Sequence, residues 1–339
     1  MNDPIEVLIT MNLNEALVKQ LTELSPRLHI QVLNAQQSQD VPAEVWGRVE
    51  VLYTNRVLPT PEEAPRLQWI QLHWAGADHA VDAPILARPG VQATTLSGAS
   101  ASQMAEHAVM MMLALGHHLP EASALQKRTE WPDERWKRFS PKELRDSTVG
   151  IVGYGSIGRQ IARLLQAFGA EVLATKRDVM HPADTGYIPE GLGDPTGELV
   201  NRLYPPQALR SMLKLCDFVV VCTPLSFETR NLLGAEELAA LKPGAYLVAL
   251  SRGGVVDHNA LLPLLRDQKI GGAALDVFPN EPLLADSPFW KLPNVIITPH
   301  VAGFSPHYDE RAVLLFSENL QRYLSGLPLY NRINLEKKY

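Results

Sequence analysis

The stretch from Thr148 to Leu165, TVGIVGYGSIGRQIARLL, decides the fold of this chain. A short β-rich run leads directly into Gly153-x-Gly155-x-x-Gly158, and a helical pattern follows. Three glycines at this spacing, between a strand and a helix, form a dinucleotide fingerprint. Gly153 makes the tight turn, Gly155 lets the backbone approach a pyrophosphate, and Gly158 lets the helix pack closely on the strand. The helix N-terminus, at Ser156 and Ile157, then offers N–H groups to the phosphates. The next strand, EVLATKRD (171–178), should end on the group that reads the adenine-side ribose. An acid there binds both ribose hydroxyls and repels a 2′-phosphate. This strand ends instead in Thr175-Lys176-Arg177, and the two cations attract a 2′-phosphate. NADP is therefore favoured as cofactor, with NAD the alternative if Asp178 takes the ribose position.

Outward from this loop, short apolar runs alternate with helical patterns along the whole chain, as βαβ units of a parallel sheet do. After Thr148–Val152 the expected strands are Glu171–Ala174, Phe218–Cys222, Tyr246–Leu250, Gly272–Leu275 and Val295–Thr298, six in all, enough for a complete dinucleotide fold. The first third offers strands at Ile5–Ile9, Val51–Tyr53 and Leu67–Leu72, with a helix around Asn14–Leu24. A long helix is expected over Ala101–His118. Its methionine stripe (Met104, Met111, Met112) falls at core spacing, and His117 and His118 have no partners at metal-ligand spacing. The polar segment Gln126–Arg145 reads as a surface connector. A final amphipathic helix covers about Ser305–Leu324. Residues 178–206, rich in Pro and Gly, interrupt the series as a long loop on the cofactor domain.

The 339 residues suit about two domains, with 46% hydrophobic and 20% charged residues. A net charge of −6 argues against a nucleic-acid binder. The two cysteines, Cys216 and Cys222, flank an apolar run and read as reduced residues of a buried strand rather than a disulfide pair. The N-terminus shows no basic n-region, and no apolar stretch is long enough to span a bilayer, so a cytoplasmic location is expected.

Three residues downstream of the glycine loop carry chemistry. Arg252 follows the strand AYLVAL, Glu281 lies in FPNEP after GGAALDVF, and His300 lies in TPHVAG after VIIT. All three stand just past carboxyl ends of strands, where open α/β sheets place their ligands. With WAGADH (74–79), SASQMAEHAVMMMLAL (100–115), VVVCTPLSFETRNLL (219–233) and GAALDVFPNEPL (272–283), these strings make the chain resemble the D-2-hydroxyacid dehydrogenase superfamily.

The resemblance implies an α/β architecture of two Rossmann- or flavodoxin-like, doubly wound parallel-sheet domains with a cleft between them. Residues 1–100 plus 301–339 would form a discontinuous substrate-binding domain, and 101–300 the dinucleotide-binding domain. It implies hydride transfer between a nicotinamide and a small 2-keto or 2-hydroxy acid of D configuration, such as glyoxylate or hydroxypyruvate. Arg252 would hold the carboxylate and carbonyl, His300 would be the general acid/base, and Glu281 would pair with His300 and favour its imidazolium. The backbone of Ala75, Gly76 and Ala77 would grip the carboxylate. Asp276 would lie near the nicotinamide carboxamide, and Thr223 and Pro224 beside the adenine-side ribose. No metal is implied, and a homodimer is. Dinucleotide-sensing corepressors are the alternative function, though no partner-binding extension is evident.

Overall fold

The computed structural model describes residues 3–335. They form two compact units. The first runs to Ser100, takes in Thr185–Tyr187 and resumes at Ser305; the second comprises Ala101–Asp184 and Ile188–Phe304.

The first unit opens with β1 (Ile5–Ile9), α1 (Glu15–Thr22), β2 (Leu28–Val32), α2 (Ala43–Trp46), β3 (Val51–Thr54), β4 (Trp69–Leu72) and β5 (Gln92–Thr94). Its five strands are parallel, in the flavodoxin-like order β2-β1-β3-β4-β5. Side chains alternate across the sheet. Val7, Ile9, Val51 and Tyr53 face one core, and Leu8, Leu52 and Ile70 face the other. Asn14 caps α1 by accepting a hydrogen bond from the Ala16 N–H at 2.9 Å.

The second unit contains α3 (Ala101–Gly116), α4 (Leu119–Arg128), α5 (Arg135–Arg138), β6 (Thr148–Val152), α6 (Ser156–Phe168), β7 (Glu171–Thr175), β8 (Arg202–Tyr204), α7 (Leu209–Leu213), β9 (Phe218–Val221), α8 (Ala235–Ala239), β10 (Tyr246–Ala249), α9 (His258–Arg266), β11 (Gly272–Leu275) and β12 (Val295–Ile297). Its seven parallel strands run β12-β11-β10-β9-β6-β7-β8. This is the Rossmann winding with one further strand, and the order reverses between β6 and β9. Phe218 and Val220 of β9 face one core while Val219 and Val221 face the other, so both faces are covered. The chain then returns to the first unit as α10 (Tyr308–Leu324), whose Ala312, Val313, Phe316 and Leu320 join the core of Val7, Ile9 and Tyr53. Among the described residues no helix is long and apolar enough to cross a membrane.

Several elements differ from the sequence expectation. The second sheet has seven strands rather than six, because β8 lies inside the segment read as an uninterrupted loop. The first sheet gains β2 and β5. All three additions are edge strands, short and partly polar, and an edge buries too little side chain to leave a continuous apolar run. The helix expected over 101–118 ends at Gly116, where His118 turns left-handed (φ +55°) and starts α4, and the supposed connector is partly helical. The methionine stripe is core, with Met111 and Met112 buried.

The insertion is anchored rather than loose. Arg159, on α6 and 1% exposed, donates to the carbonyls of Asp194 and Pro182, both at 2.5 Å, and its Nε lies 3.3 Å from Asp184 Oδ2. Its guanidinium also covers the Tyr154 ring at 4.6 Å. The Asp194 carboxylate accepts from Tyr154 Oη at 2.5 Å and from the N–H groups of Gly197, Glu198 and Leu199. The tip packs within the first unit, where the Tyr187 N–H donates to Asn331 Oδ1 at 3.2 Å.

Candidate active site

The strand register sets the site. Val152 of β6 lies beside Val221 of β9, Val221 beside Ala249 of β10, Ala249 beside Leu275 of β11, and Leu275 beside Ile297 of β12. Five strands therefore end level, and the loops that follow them share one edge of the second sheet. These loops carry Gly153–Gly158, Thr223–Pro224, Arg252, Asp276 with Glu281, and His300.

The glycines divide their roles by steric space. Gly153 has φ +104°, and a Cβ there would lie 2.9 Å from the Thr223 backbone nitrogen. A Cβ on Gly158 would lie 2.3 Å from the Gly153 carbonyl oxygen. Both positions exclude larger residues because backbone closes on them. At Gly155 a Cβ would meet nothing within 4 Å, and the residue is exposed. The loop is open on that side alone, in front of the first turn of α6 with Ser156 and Ile157, where helical N–H groups lack intrahelical acceptors. A pyrophosphate fits there.

At the end of β7, Thr175 is buried and its hydroxyl accepts from the Gly153 N–H at 3.0 Å. The two cations beyond it part company. The Lys176 ammonium donates to the His181 and Ala183 carbonyls of the insertion. Arg177 remains exposed, 3.9 Å from Glu228 Oε2 in the loop after β9. Asp178 accepts from the N–H groups of Met180 and His181 and pairs with the His181 ring at 2.7 Å. Thr223 backs Gly153, and the Pro224 carbonyl accepts from Thr229 at 2.6 Å.

His300 and Glu281 meet. His300 Nδ1 lies 2.7 Å from Glu281 Oε2, and Glu281 Oε1 accepts the Phe278 N–H at 2.9 Å. A carboxylate only accepts, so Nδ1 carries the proton and Nε2 is left for proton exchange with a substrate. The His300 side chain is 44% exposed. Its backbone is left-handed, φ +54°, a conformation that costs a non-glycine residue energy and is helped by local hydrogen bonds. Asp276 supplies them. Its carbonyl accepts the His300 N–H at 2.9 Å, its Oδ1 accepts from Val301 N–H at 2.9 Å and Thr298 Oγ1 at 2.6 Å, and its Oδ2 from Ala302 N–H at 3.0 Å. The resemblance implies that Asp276 lies near the nicotinamide carboxamide; the structure adds that its buried carboxylate holds the loop that carries His300. The signal for that role was a lone acid directly after an all-apolar strand, since a buried carboxylate must find donors. Arg252 is half-buried, with Nη1 donating to the Ser251 carbonyl at 2.9 Å. Among the described residues no three His, Cys, Asp or Glu side chains are placed to hold a metal ion.

In the first unit, Ala75, Gly76 and Ala77 form the loop after β4, with Ala75 exposed and Ala77 buried. Just before it, His73 is buried between Tyr53 and Asp309, a grouping that the sequence reading missed.

The family model for the D-isomer specific 2-hydroxyacid dehydrogenase NAD-binding domain matches residues 109–302, more than half of the chain. The chain belongs to the D-isomer specific 2-hydroxyacid dehydrogenases. Among its relatives in this family is a glyoxylate reductase of Thermococcus litoralis, 32% identical over 277 residues, which cover 80% of this chain and 78% of the relative. A D-3-phosphoglycerate dehydrogenase of Methanocaldococcus jannaschii is 29% identical over 335 residues, 98% of this chain. This dehydrogenase-family chain spans 43–60% of the length of the first phosphoglycerate dehydrogenases it matches. A D-isomer specific 2-hydroxyacid dehydrogenase from Xanthobacter autotrophicus Py2, solved with NADPH and MES, superposes with a TM-score of 0.80 at 27% identity, covering 99% of this chain and all of that one. The matched model is that of an NAD-binding domain, and the Xanthobacter relative was solved with NADPH.

Proposed function

We propose that the chain reduces a small 2-keto acid such as glyoxylate or hydroxypyruvate to its D-2-hydroxy acid, or runs the reverse oxidation. The observation that carries this reading is the 2.7 Å pair of His300 Nδ1 and Glu281, at the sheet edge shared with the glycine loop and Arg252. The reduced nicotinamide, when bound, supplies the hydride to the carbonyl carbon. His300 Nε2 gives its proton to the carbonyl oxygen, and Glu281 keeps the ring oriented through Nδ1. The Arg252 fork binds the substrate carboxylate and carbonyl oxygen, and the N–H groups of the Ala75–Ala77 loop add to the carboxylate's binding. The first unit then serves as the substrate-binding domain and the second as the cofactor domain.

NADPH is the preferred reductant in this reading. The end of β7 offers no acid, and Arg177 presents an exposed cation there, while Lys176 steadies the insertion beside it. One charged hydrogen bond to a 2′-phosphate contributes about 1.5–3 kcal/mol before screening by salt. The experiment is a panel of 2-keto acids with NADPH and NADH, run on the wild type and on Lys176→Asp/Arg177→Ala. The variant should lose kcat/KM with NADPH and keep it with NADH. Equal losses with both cofactors, or a wild-type preference for NADH, count against the assignment. Absence of turnover with every acid would return the chain to the corepressor-like alternative.

A second copy of the chain completes the reading. Trp131 and Trp136, 82% and 80% exposed, border a groove of about 830 Å³ with Leu125, Pro132 and Phe139, which a second copy would cover. A homodimer in sedimentation equilibrium is the expected result, and a monomer at micromolar concentration the contrary one.

A further inference from the structure

The first unit contains a buried titratable chain that the chemistry above does not use. His73 is 6% exposed and follows β4 directly, two residues before Ala75. Tyr53, on β3, places its hydroxyl 2.8 Å from His73 Nδ1, and Asp309, on α10, places Oδ1 3.4 Å from Nε2. With Nε2–H directed at the carboxylate, Nδ1 accepts from the phenol, and the neutral ring has a partner on both sides. The backbone is held as firmly. The His73 N–H donates to the Thr54 carbonyl at 2.8 Å, and Tyr308 Oη donates to the His73 carbonyl at 2.7 Å. Trp74 comes next. Its indole N–H donates to Asn55, its carbonyl accepts the Leu96 N–H at 3.0 Å, and its ring lies against Tyr308 with centroids 5.4 Å apart.

We propose that His73 is a positioning residue: the Tyr53–His73–Asp309 chain fixes the entry to the Ala75–Ala77 loop and so sets how well that loop's N–H groups hold the substrate carboxylate. The proposal rests on the reading of that loop given above. His73 touches no reacting atom and acts through the two peptide units between it and the loop, as supporting residues do when they orient a binding element. Proton uptake breaks the arrangement. A doubly protonated ring turns Nδ1 into a donor facing the Tyr53 hydroxyl, which then has to find another acceptor inside the core. Burial pushes the imidazole below its ordinary 6.5, against the pull of the Asp309 carboxylate, so the neutral chain is the form at neutral pH. The titratable groups facing the ring are Tyr53 from β3 and Tyr308 and Asp309 from α10.

The test is steady-state kinetics of the full chain with glyoxylate and NADPH, with melting temperatures, for the wild type, Tyr53→Phe and Asp309→Asn. Tyr53→Phe keeps the ring on Phe316, with centroids 4.4 Å apart, and Asp309 is 53% exposed, so both variants should fold. The KM for glyoxylate should rise about 2- to 10-fold in each variant, on the order of one net hydrogen bond, with kcat and the KM for NADPH unchanged. Asp309→Asn should also move the acid-side fall of kcat/KM for glyoxylate to lower pH, because loss of the carboxylate charge leaves the imidazole harder to protonate. An unchanged glyoxylate KM, an unmoved acid limb, or parallel losses in kcat and both KM values with a lower melting temperature overturns the proposal. A wild type that turns over no 2-keto acid defeats the reading of the loop itself, and the proposal falls with it.

Discussion

His300 and Arg252 divide the proposed chemistry at the level of single side chains. His300 is held in a left-handed backbone by Asp276 and oriented by Glu281, so only its Nε2 is left for the substrate. His300→Ala should lower kcat by about 100-fold or more, the usual loss on removing a general acid/base, with NADPH binding by fluorescence titration unchanged. Arg252→Ala should mainly raise the KM for the keto acid, and Arg252→Lys should recover little of it, because an ammonium cannot form the planar fork. A kcat/KM within twofold of wild type for either Arg252 variant would remove that residue from the site. Both residues stand out in the sequence because each follows a strand in a distinctive string. The hydrogen-bond partners of Asp276 and His73 were not legible there, since a buried acid or histidine shows its partners only once strands distant in sequence lie side by side. Cys222, expected in a buried strand, is a free thiol one residue past the end of β9. Burial pushes its pKa up to about 12, far from the range of a reactive thiolate.

The glycine loop is the element on which the proposed cofactor binding turns, and its three glycines differ in the space around them. Gly158→Ala drives a Cβ into the Gly153 carbonyl and should lower the melting temperature markedly. Gly155→Ala meets open space at an ordinary φ of −93°, so the melting temperature should stay close to wild type while the KM for NADPH rises. Equal thermal damage from both would show that Gly155 is a packing residue and not the open side of a phosphate cradle. Strands of this element type were legible where both faces are covered. VVVC, AYLVAL and GAAL read as near-continuous apolar runs, and each became a central strand. Edge strands such as LHIQV and RLY mix polar and apolar residues, and only their neighbours make them strands.

On the scale of the whole molecule, the insertion is the feature that sequence patterns resolved least. Its anchor is electrostatic and local. Burial alone would raise the Asp194 carboxyl, but the Tyr154 hydroxyl and three backbone N–H groups outweigh it and hold the group below its ordinary 3.8. A carboxyl depressed by folding stabilises the folded chain above its unfolded value, and that contribution is lost as the pH falls through the folded value. Asp194→Asn should therefore melt below wild type at pH 7, with the gap narrowing as the pH drops under about 4. A gap that stays constant with pH would mean that the charge of Asp194 plays no part. The order of the units along the chain has a mechanical consequence. Asp3 and Leu335 both belong to the first unit, and the bulk of the second is looped out between Ser100 and Ser305. A load applied across Asp3 and Leu335 is borne by the first unit's strands and α10, and tension enters the cofactor-binding unit only after they have yielded. The later rupture then releases roughly 700 Å of contour, at about 3.5 Å per residue. Under stretching, the unit that the NAD-binding-domain model matches is the one loaded last.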